Sequence, residues 1–312
     1  MMSKLQKDEY NEALASLQTV GDWVRFAATA FSRAEVYFGH GTDNAWDEAV
    51  HLVLQILRLS LDASPTVAQA RVTPTEAKAI VAAIETRIET RKPLPYITHQ
   101  AYCLGLPFYV DERVLIPRSP IAEWIGRCFE PWIEPWQVGR LLEIGTGSAC
   151  LAVIAALQFP DAEVDAVDLS EDALVVANMN VARHQLVDQV NLLQGDVYEP
   201  VGGRLYDIIF SNPPYVGAEE MASLPPEYRF EPHMALEAED NGLAIVEKII
   251  AGAASHLHPH GILVVEVGNS EHALVQAYPE APFVWLEQER GGQGLFLLTR
   301  DQLQAEWARG RK

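Results

Sequence analysis

Arg140-Leu141-Leu142-Glu143-Ile144-Gly145-Thr146-Gly147-Ser148-Ala149-Cys150 reads as a buried strand that opens into a glycine turn and then a helix. Gly145 and Gly147 allow a tight turn and a close approach of backbone to a ligand, and the helical pattern continues through Leu157. The same unit then recurs. Ala162 to Val167 is a second strand, and Ser170 caps a helix with Glu171 and Asp172 in its first turn. Val190 to Leu193 and Tyr206 to Phe210 form the third and fourth strands, Asn241 to Leu257 a helix, and Gly261 to Val267 the fifth strand. Pro282 to Leu286 and Gly294 to Thr299 close the chain as a hairpin turning at Gly291-Gly292. Such alternation predicts an α/β fold with a mostly parallel seven-stranded sheet, and the closing hairpin makes one strand antiparallel.

Upstream of that unit the texture is helical. Tyr10, Ala13, Leu14 and Leu17 share one helical face, as do Trp46, Val50, Val53, Leu57 and Leu61, and again Ala77, Ile80, Val81, Ile84 and Ile88. Thr73, Pro74 and Glu76 form a helix start of the capping-box kind. Between the first helices, Tyr37 to Trp46 is a glycine-bearing loop in which Asp43 or Asn44 caps the next helix, or which grips a substrate. Lys92 to Tyr96 is a linker, and Ala101 to Leu104 with Pro107 to Asp111 predicts a hairpin around Gly105. Ser119 and Pro120 start a helix expected to run to about Glu130. The expected organisation is a helical substrate-recognition domain over 1–95, a linking hairpin over 96–118 and an α/β domain over 119–312.

Composition narrows the function. Of 312 residues 49% are hydrophobic, enough for a sizeable core, and 43 acidic against 23 basic residues give a net charge of −20. That charge argues against a nucleic-acid or anionic-membrane surface as the main partner and suits a basic protein, or simple solubility, equally well. Cys103, Cys128 and Cys150 form no CxxC pair, which fits a reducing cytoplasm. No secretory leader is expected, and no apolar run approaches the ~20 residues of a membrane helix.

Ligands of such sheets bind beyond the carboxyl ends of the strands. At the first end, Cys150 stands where a dinucleotide fingerprint has its third glycine, so the loop alone fits a nicotinamide cofactor, another nucleoside or none. At the second, Asp168 is placed to accept hydrogen bonds from ribose hydroxyls. At the third, Gln194-Gly195-Asp196-Val197 can offer a carboxylate to a base amino group and an N–H to a ring nitrogen. The fourth end is Ser211-Asn212-Pro213-Pro214-Tyr215. Two prolines fix φ, remove two donors and hold the preceding residues extended, leaving a rigid ledge of amide, carbonyls and ring that can grip a planar NH2 group. Arg118 is a candidate partner for a substrate carbonyl or for an acid such as Glu143. His256, His258 and His260 straddle a helix end without a nearby cysteine, and no metal is expected there.

These four ends, taken in order, resemble the class I S-adenosylmethionine-dependent methyltransferases, and over nearly its whole length the chain is similar to the protein-(glutamine-N5) methyltransferases. Three stretches resemble the branch that modifies a glutamine of the third large-subunit ribosomal protein: Tyr37 to Trp46, Pro117-Arg118-Ser119-Pro120-Ile121 and Glu266-Val267-Gly268-Asn269-Ser270. The resemblance implies S-adenosylmethionine as cofactor, contacted by Glu143, Gly145, Thr146, Gly147, Asp168, Asp196, Val197 and Asn212. It implies Asn212, Pro213 and Tyr215 as catalytic residues, a substrate glutamine held by Asn212, Pro213, Pro214, Tyr215 and Arg118, and a basic ribosomal protein as partner in the cytoplasm, with no stable nucleic-acid binding and no membrane. Alternatives are the sibling that methylates the Gly-Gly-Gln loop of release factors, a nucleic-acid adenine N6-methyltransferase, a nicotinamide oxidoreductase and a non-enzymatic assembly factor.

Overall fold

A computed structural model describes residues 4–288 and 293–307 of the chain. The turn expected at Gly291-Gly292 lies outside the described residues. Two compact units emerge, one of residues 1–101 with Pro225–Phe230, the other of residues 102–224 and 231–312.

The first unit is helical. Helices Lys4–Ser16, Val20–Arg33, Ala45–Ile56 and Pro74–Thr90 enclose a core centred on Trp23, Phe31, Leu52, Ile80 and Ile84. Thr73 caps its helix as expected, its hydroxyl accepting from the Glu76 N–H while the Glu76 carboxylate accepts from the Thr73 N–H. Asn44, rather than Asp43, caps the helix at Ala45. Trp46 departs from the expected apolar face: it lies in the first turn of that helix and is 55% exposed. Buried Arg87 binds Glu48 at 2.6 Å and the Tyr37 carbonyl at 2.7 Å, and Glu227 lies 3.5 Å from the same guanidinium.

Where the second unit begins, strands β1 (Ala101–Cys103, its first residue counted with the helical unit) and β2 (Leu106–Phe108) pair in a two-stranded sheet across Leu104 and Gly105, both at positive φ. Its main sheet contains β3 (Arg140–Ile144), β4 (Glu163–Asp168), β5 (Val190–Gln194), β6 (Tyr206–Ser211), β7 (Leu257–Glu266), β8 (Val284–Trp285) and β9 (Leu295–Thr299). Their order is β5-β4-β3-β6-β7-β9-β8, parallel except for β9, which runs against both its neighbours. Every residue of β6 is buried, as a central parallel strand covered on both faces requires. Alternate residues serve opposite faces. Leu141, Ile208, Val264 and Leu297 join one core with helix Cys150–Gln158, while Leu142, Ile209, Val265 and Phe296 join the other with helix Ala244–His256.

Three helices are shorter than expected. The one carrying the Trp46-to-Leu61 face ends at Ile56, with Leu57 as its C-cap and Leu61 beyond it. The one after Pro120 ends at Gly126, with Cys128 and Phe129 at positive φ. The one expected from Asn241 runs as Ala244–His256, because Asp240, Asn241 and Gly242 all take left-handed conformations. From β3 the strands build outward to β5, and the chain then crosses back to lay β6 on the other flank of β3. This reversal is the switch point at which open α/β sheets bind ligands, and its upper edge is formed by the Gly145 turn and the Asn212 ledge. No helix among the described residues is long and apolar enough to cross a membrane.

Candidate active site

The register pairs Ile144 with Ser211 across β3 and β6, and the Ser211 hydroxyl donates to the Ile144 carbonyl at 2.7 Å. The two loops therefore leave the sheet side by side, and a Cβ built on Gly145 would lie 3.9 Å from the Asn212 carbonyl oxygen. The Gly145 and Thr146 N–H groups both donate to the Val167 carbonyl, at 2.8 and 3.0 Å, which folds the turn back over β4. Gly145 and Gly147 sit at φ +74° and +54°, in the region where a side chain is strained. Ala149 and Val197 adopt similar conformations without being glycine, and such stored strain clusters at functional loops.

Three carboxylates face this edge. Glu143 is buried, and its Oε2 accepts from the Thr146 hydroxyl at 2.6 Å and the Ala152 N–H at 2.9 Å. Burial pushes its carboxyl well above the usual range, with the nearby Cys150 and Asp168 adding to the effect. Asp168 accepts from the Gly147 N–H at 2.7 Å and the Ser170 N–H at 2.9 Å, yet burial outweighs those bonds and raises its pKa too. Asp196 is paired with Lys248 at 2.9 Å. A cavity of about 480 Å³ lies among these groups, lined by Glu143, Gly145, Thr146, Gly147, Asp168, Asp196, Val197 and Asn212, with Pro214 and Arg118 at its wall. The cofactor residues expected from the sequence are thus gathered in one cavity. Pro213 and Tyr215, also expected at the site, belong to the same ledge but are not among the residues that line the cavity.

The Asn212 side chain makes no hydrogen bond to any other described residue. Tyr215 is held firmly: its hydroxyl donates to Glu266 at 2.8 Å and its carbonyl accepts from the Ser270 hydroxyl at 2.7 Å. Arg118 does not pair with Glu143. Its guanidinium forms a two-pronged bond with Glu231, at 2.6 and 2.8 Å, and Glu231 also accepts from the Ile116 N–H at 3.0 Å.

Comparison with known proteins gives the family. Residues 131–224 match the family model of the methyltransferase small domain. The ribosomal protein uL3 glutamine methyltransferase of Francisella tularensis subsp. tularensis is 42% identical over 95% of this chain and 95% of its own. That of Neisseria gonorrhoeae is 45% identical over 95% of this chain and 99% of its own. The chain belongs to the ribosomal protein uL3 glutamine methyltransferases. Among solved structures it is also similar to a methyltransferase from Pyrococcus furiosus, at 21% identity over 63% of this chain and 90% of that one, with a TM-score of 0.45.

Within this uL3 glutamine methyltransferase chain, sequence reasoning missed Lys248 and Leu169 in the cavity wall, and Glu231; Ser170, expected as a helix cap and found as one, also lines the cavity. The readable signal was a leucine directly after the strand-tip acid, and in the structure Leu169 is 59% exposed. The partners of Lys248 and Glu231 lie 52 and 113 residues away, beyond any local pattern. His256 stacks on Tyr198 with ring centroids 4.3 Å apart, and His260 binds Asp207 at 2.9 Å. Among the described residues no group of His, Cys, Asp and Glu side chains has the arrangement of a metal site.

Proposed function

We propose that this chain transfers a methyl group from S-adenosylmethionine to the side-chain amide nitrogen of a glutamine in ribosomal protein uL3. Family membership supports the reaction, and the single observation that carries its assignment to this site is the side-by-side exit of the Gly145 turn and the Asn212 ledge. The residues fit the cofactor chemically. Glu143 keeps an oxygen that no other described residue engages, in a place where burial makes an uncompensated charge costly, so a cationic ligand group is favoured there. Asp168 suits ribose hydroxyls, and Asp196 with the Val197 backbone suits an adenine edge. S-adenosylmethionine supplies an electrophilic sulfonium methyl when bound.

The ledge does the rest. A glutamine amide nitrogen is a poor nucleophile because its lone pair is delocalised into the carbonyl. The Asn212 side-chain oxygen and the Pro213 carbonyl each accept one of its N–H bonds, which fixes the plane of the amide and aims the nitrogen at the cavity, while Tyr215 buttresses the ledge. Such positioning supplies several kcal/mol. Fixed acceptors also favour the positive charge that develops on nitrogen. That charge makes the proton acidic after transfer, so no prior deprotonation is required. Pro214 and Arg118 complete the substrate side, Arg118 by bracing Ile116 and Glu231.

The helical residues 1–95 are assigned to substrate recognition, 96–118 to the linkage and 119–312 to chemistry, with a basic ribosomal protein as partner in the cytoplasm. The test is mass spectrometry of uL3 after incubation with enzyme and donor. One glutamine should gain about one CH2; methylation instead of a release-factor Gly-Gly-Gln loop, or of adenine in nucleic acid, overturns the assignment. Asn212→Ala should abolish transfer and leave cofactor affinity within a few fold, read by calorimetry.

A further inference from the structure

The Glu266 carboxylate is buried at the carboxyl end of β7, and the reaction described above does not use it. The register pairs Ser211 with Val265, so Glu266 stands level with Asn212 on the neighbouring strand. One carboxylate oxygen accepts from the Tyr215 hydroxyl at 2.8 Å, the other from the Ser119 hydroxyl at 2.6 Å. The residue is 7% exposed, and burial pushes its carboxyl up against the pull of those two bonds and of the Arg118 charge. Placing an acid there is costly unless it is fully engaged, and an apolar side chain would pack the same space at less cost.

Two glycines also pack closely against Tyr215. A Cβ on Gly268 would fall 2.5 Å from the ring, and one on Gly242 would fall 2.1 Å from the Tyr215 carbonyl oxygen. Both glycines thus let backbone press against Tyr215, while Ser270 holds its carbonyl. Pro213 and Pro214 give the ledge no soft φ, so a shift of the Tyr215 backbone is passed back toward Asn212 rather than absorbed between them.

We propose that Glu266, itself oriented by Ser119, is a positioning residue for methyl transfer: it fixes the Tyr215 phenol and through it the attitude of the Asn212-Pro213-Pro214 ledge. The proposal rests on the reading of that ledge as the amide-gripping element, and its test separates the two. In the full-length chain, Glu266→Ala and Tyr215→Phe should each lower kcat on uL3 by about 10–100-fold, the size expected for slight misplacement of a nucleophile. The double variant should be no slower than the slower single one, since both act through the same contact. Glu266→Gln keeps an acceptor for the phenol and should recover most of the kcat lost in Glu266→Ala. Affinity for S-adenosylmethionine should stay within about threefold in these Glu266 and Tyr215 variants, because neither residue lines the cavity.

Hydrogen exchange of the Asn212, Tyr215 and Val216 amides reads the ledge directly, whatever the substrate. Exchange should speed up in Glu266→Ala and Tyr215→Phe and stay near wild type in Glu266→Gln. Unchanged exchange in both loss variants, or multiplicative losses of kcat in the double variant, overturns the positioning role even where wild-type protein methylates uL3. Altered exchange in a protein whose wild type leaves uL3 unmodified sinks the proposed reaction and leaves the positioning role standing. Should Glu266→Ala fail to fold, Tyr215→Phe against Tyr215→Phe with Ser119→Ala carries the same comparison: faster exchange in Tyr215→Phe with no further change from Ser119→Ala supports the contact.

Discussion

Glu143 and Asp168 face one cavity, and burial raises both pKa values. An acid whose folded-state pKa is raised binds its proton more tightly in the folded chain. It therefore costs stability above that raised pKa, and the cost is relieved as pH falls through it toward the unfolded value. The ligand-free protein should accordingly gain stability on mild acidification until carboxylates of the opposite kind are protonated. Asp111 is one of these, lowered to about 2 chiefly by its hydrogen bonds from Arg113, so its contribution is lost progressively as pH falls from its ordinary value toward that lowered one. A cationic ligand reverses the balance at Glu143 by favouring its charged form. Binding of S-adenosylmethionine in mildly acidic solution should then release protons, which calorimetry in buffers of differing ionisation enthalpy would detect; proton uptake would contradict the assignment of Glu143. Asp168→Ala should weaken the same binding by about 1–3 kcal/mol, the value of a hydrogen bond to a charged group, and an unchanged titration would remove Asp168 from the ribose role.

The segment Asp240-Asn241-Gly242 illustrates what was legible among the elements. Its composition is that of a turn, yet the apolar periodicity that follows suggests a helix from Asn241, one that in the structure begins only at Ala244. The strand ends were readable because a parallel strand is an apolar run and its ligand-facing tip breaks that run with Gly, Asp or Asn. The support behind those tips was not readable, since Glu266 with Ser119 and Glu231 with Arg118 lie 147 and 113 residues apart in sequence and meet only in the folded chain. Trp46 failed for a related reason: periodicity ranks it as core, but it lies in the first turn of its helix, where the stripe runs out into solvent. Gly242 gives the element-scale test. At φ +87° and with a Cβ position 2.1 Å from the Tyr215 carbonyl oxygen, it has no room for alanine. Gly242→Ala should cost about 1–3 kcal/mol by overpacking and lower activity, whereas Gly41→Ala, at φ +102° with nothing within 4 Å, should cost only its backbone strain. Thermal unfolding of the two variants would show whether close packing on Tyr215, rather than glycine as such, is what matters.

At the scale of the whole chain, charge is unevenly shared. Residues 1–101 carry 10 basic and 12 acidic side chains, residues 102–312 carry 13 and 31. The negative charge that would attract a basic substrate is therefore concentrated in residues 102–312, and if it acts so the Michaelis constant for uL3 should rise with salt while that for the cofactor barely moves.

Pro225–Phe230 adds a second whole-chain consequence. This segment follows the ledge by ten residues in sequence, yet it belongs to the helical unit. There Glu227 is buried, accepts from the Tyr37 N–H at 3.1 Å and lies 3.5 Å from Arg87, which Glu48 also engages. Removing one member of a buried ionic group leaves the others uncompensated, at about 3–5 kcal/mol. A fragment starting at residue 102 keeps every strand of the main sheet but leaves Glu227 without Arg87 and Tyr37. Limited proteolysis of that fragment should cut first within 225–230, and the same segment should become susceptible in full-length Arg87→Ala. Resistance of the segment in both would mean that it is held from within the α/β unit, and that the helical unit has no part in shaping the chain that follows the ledge.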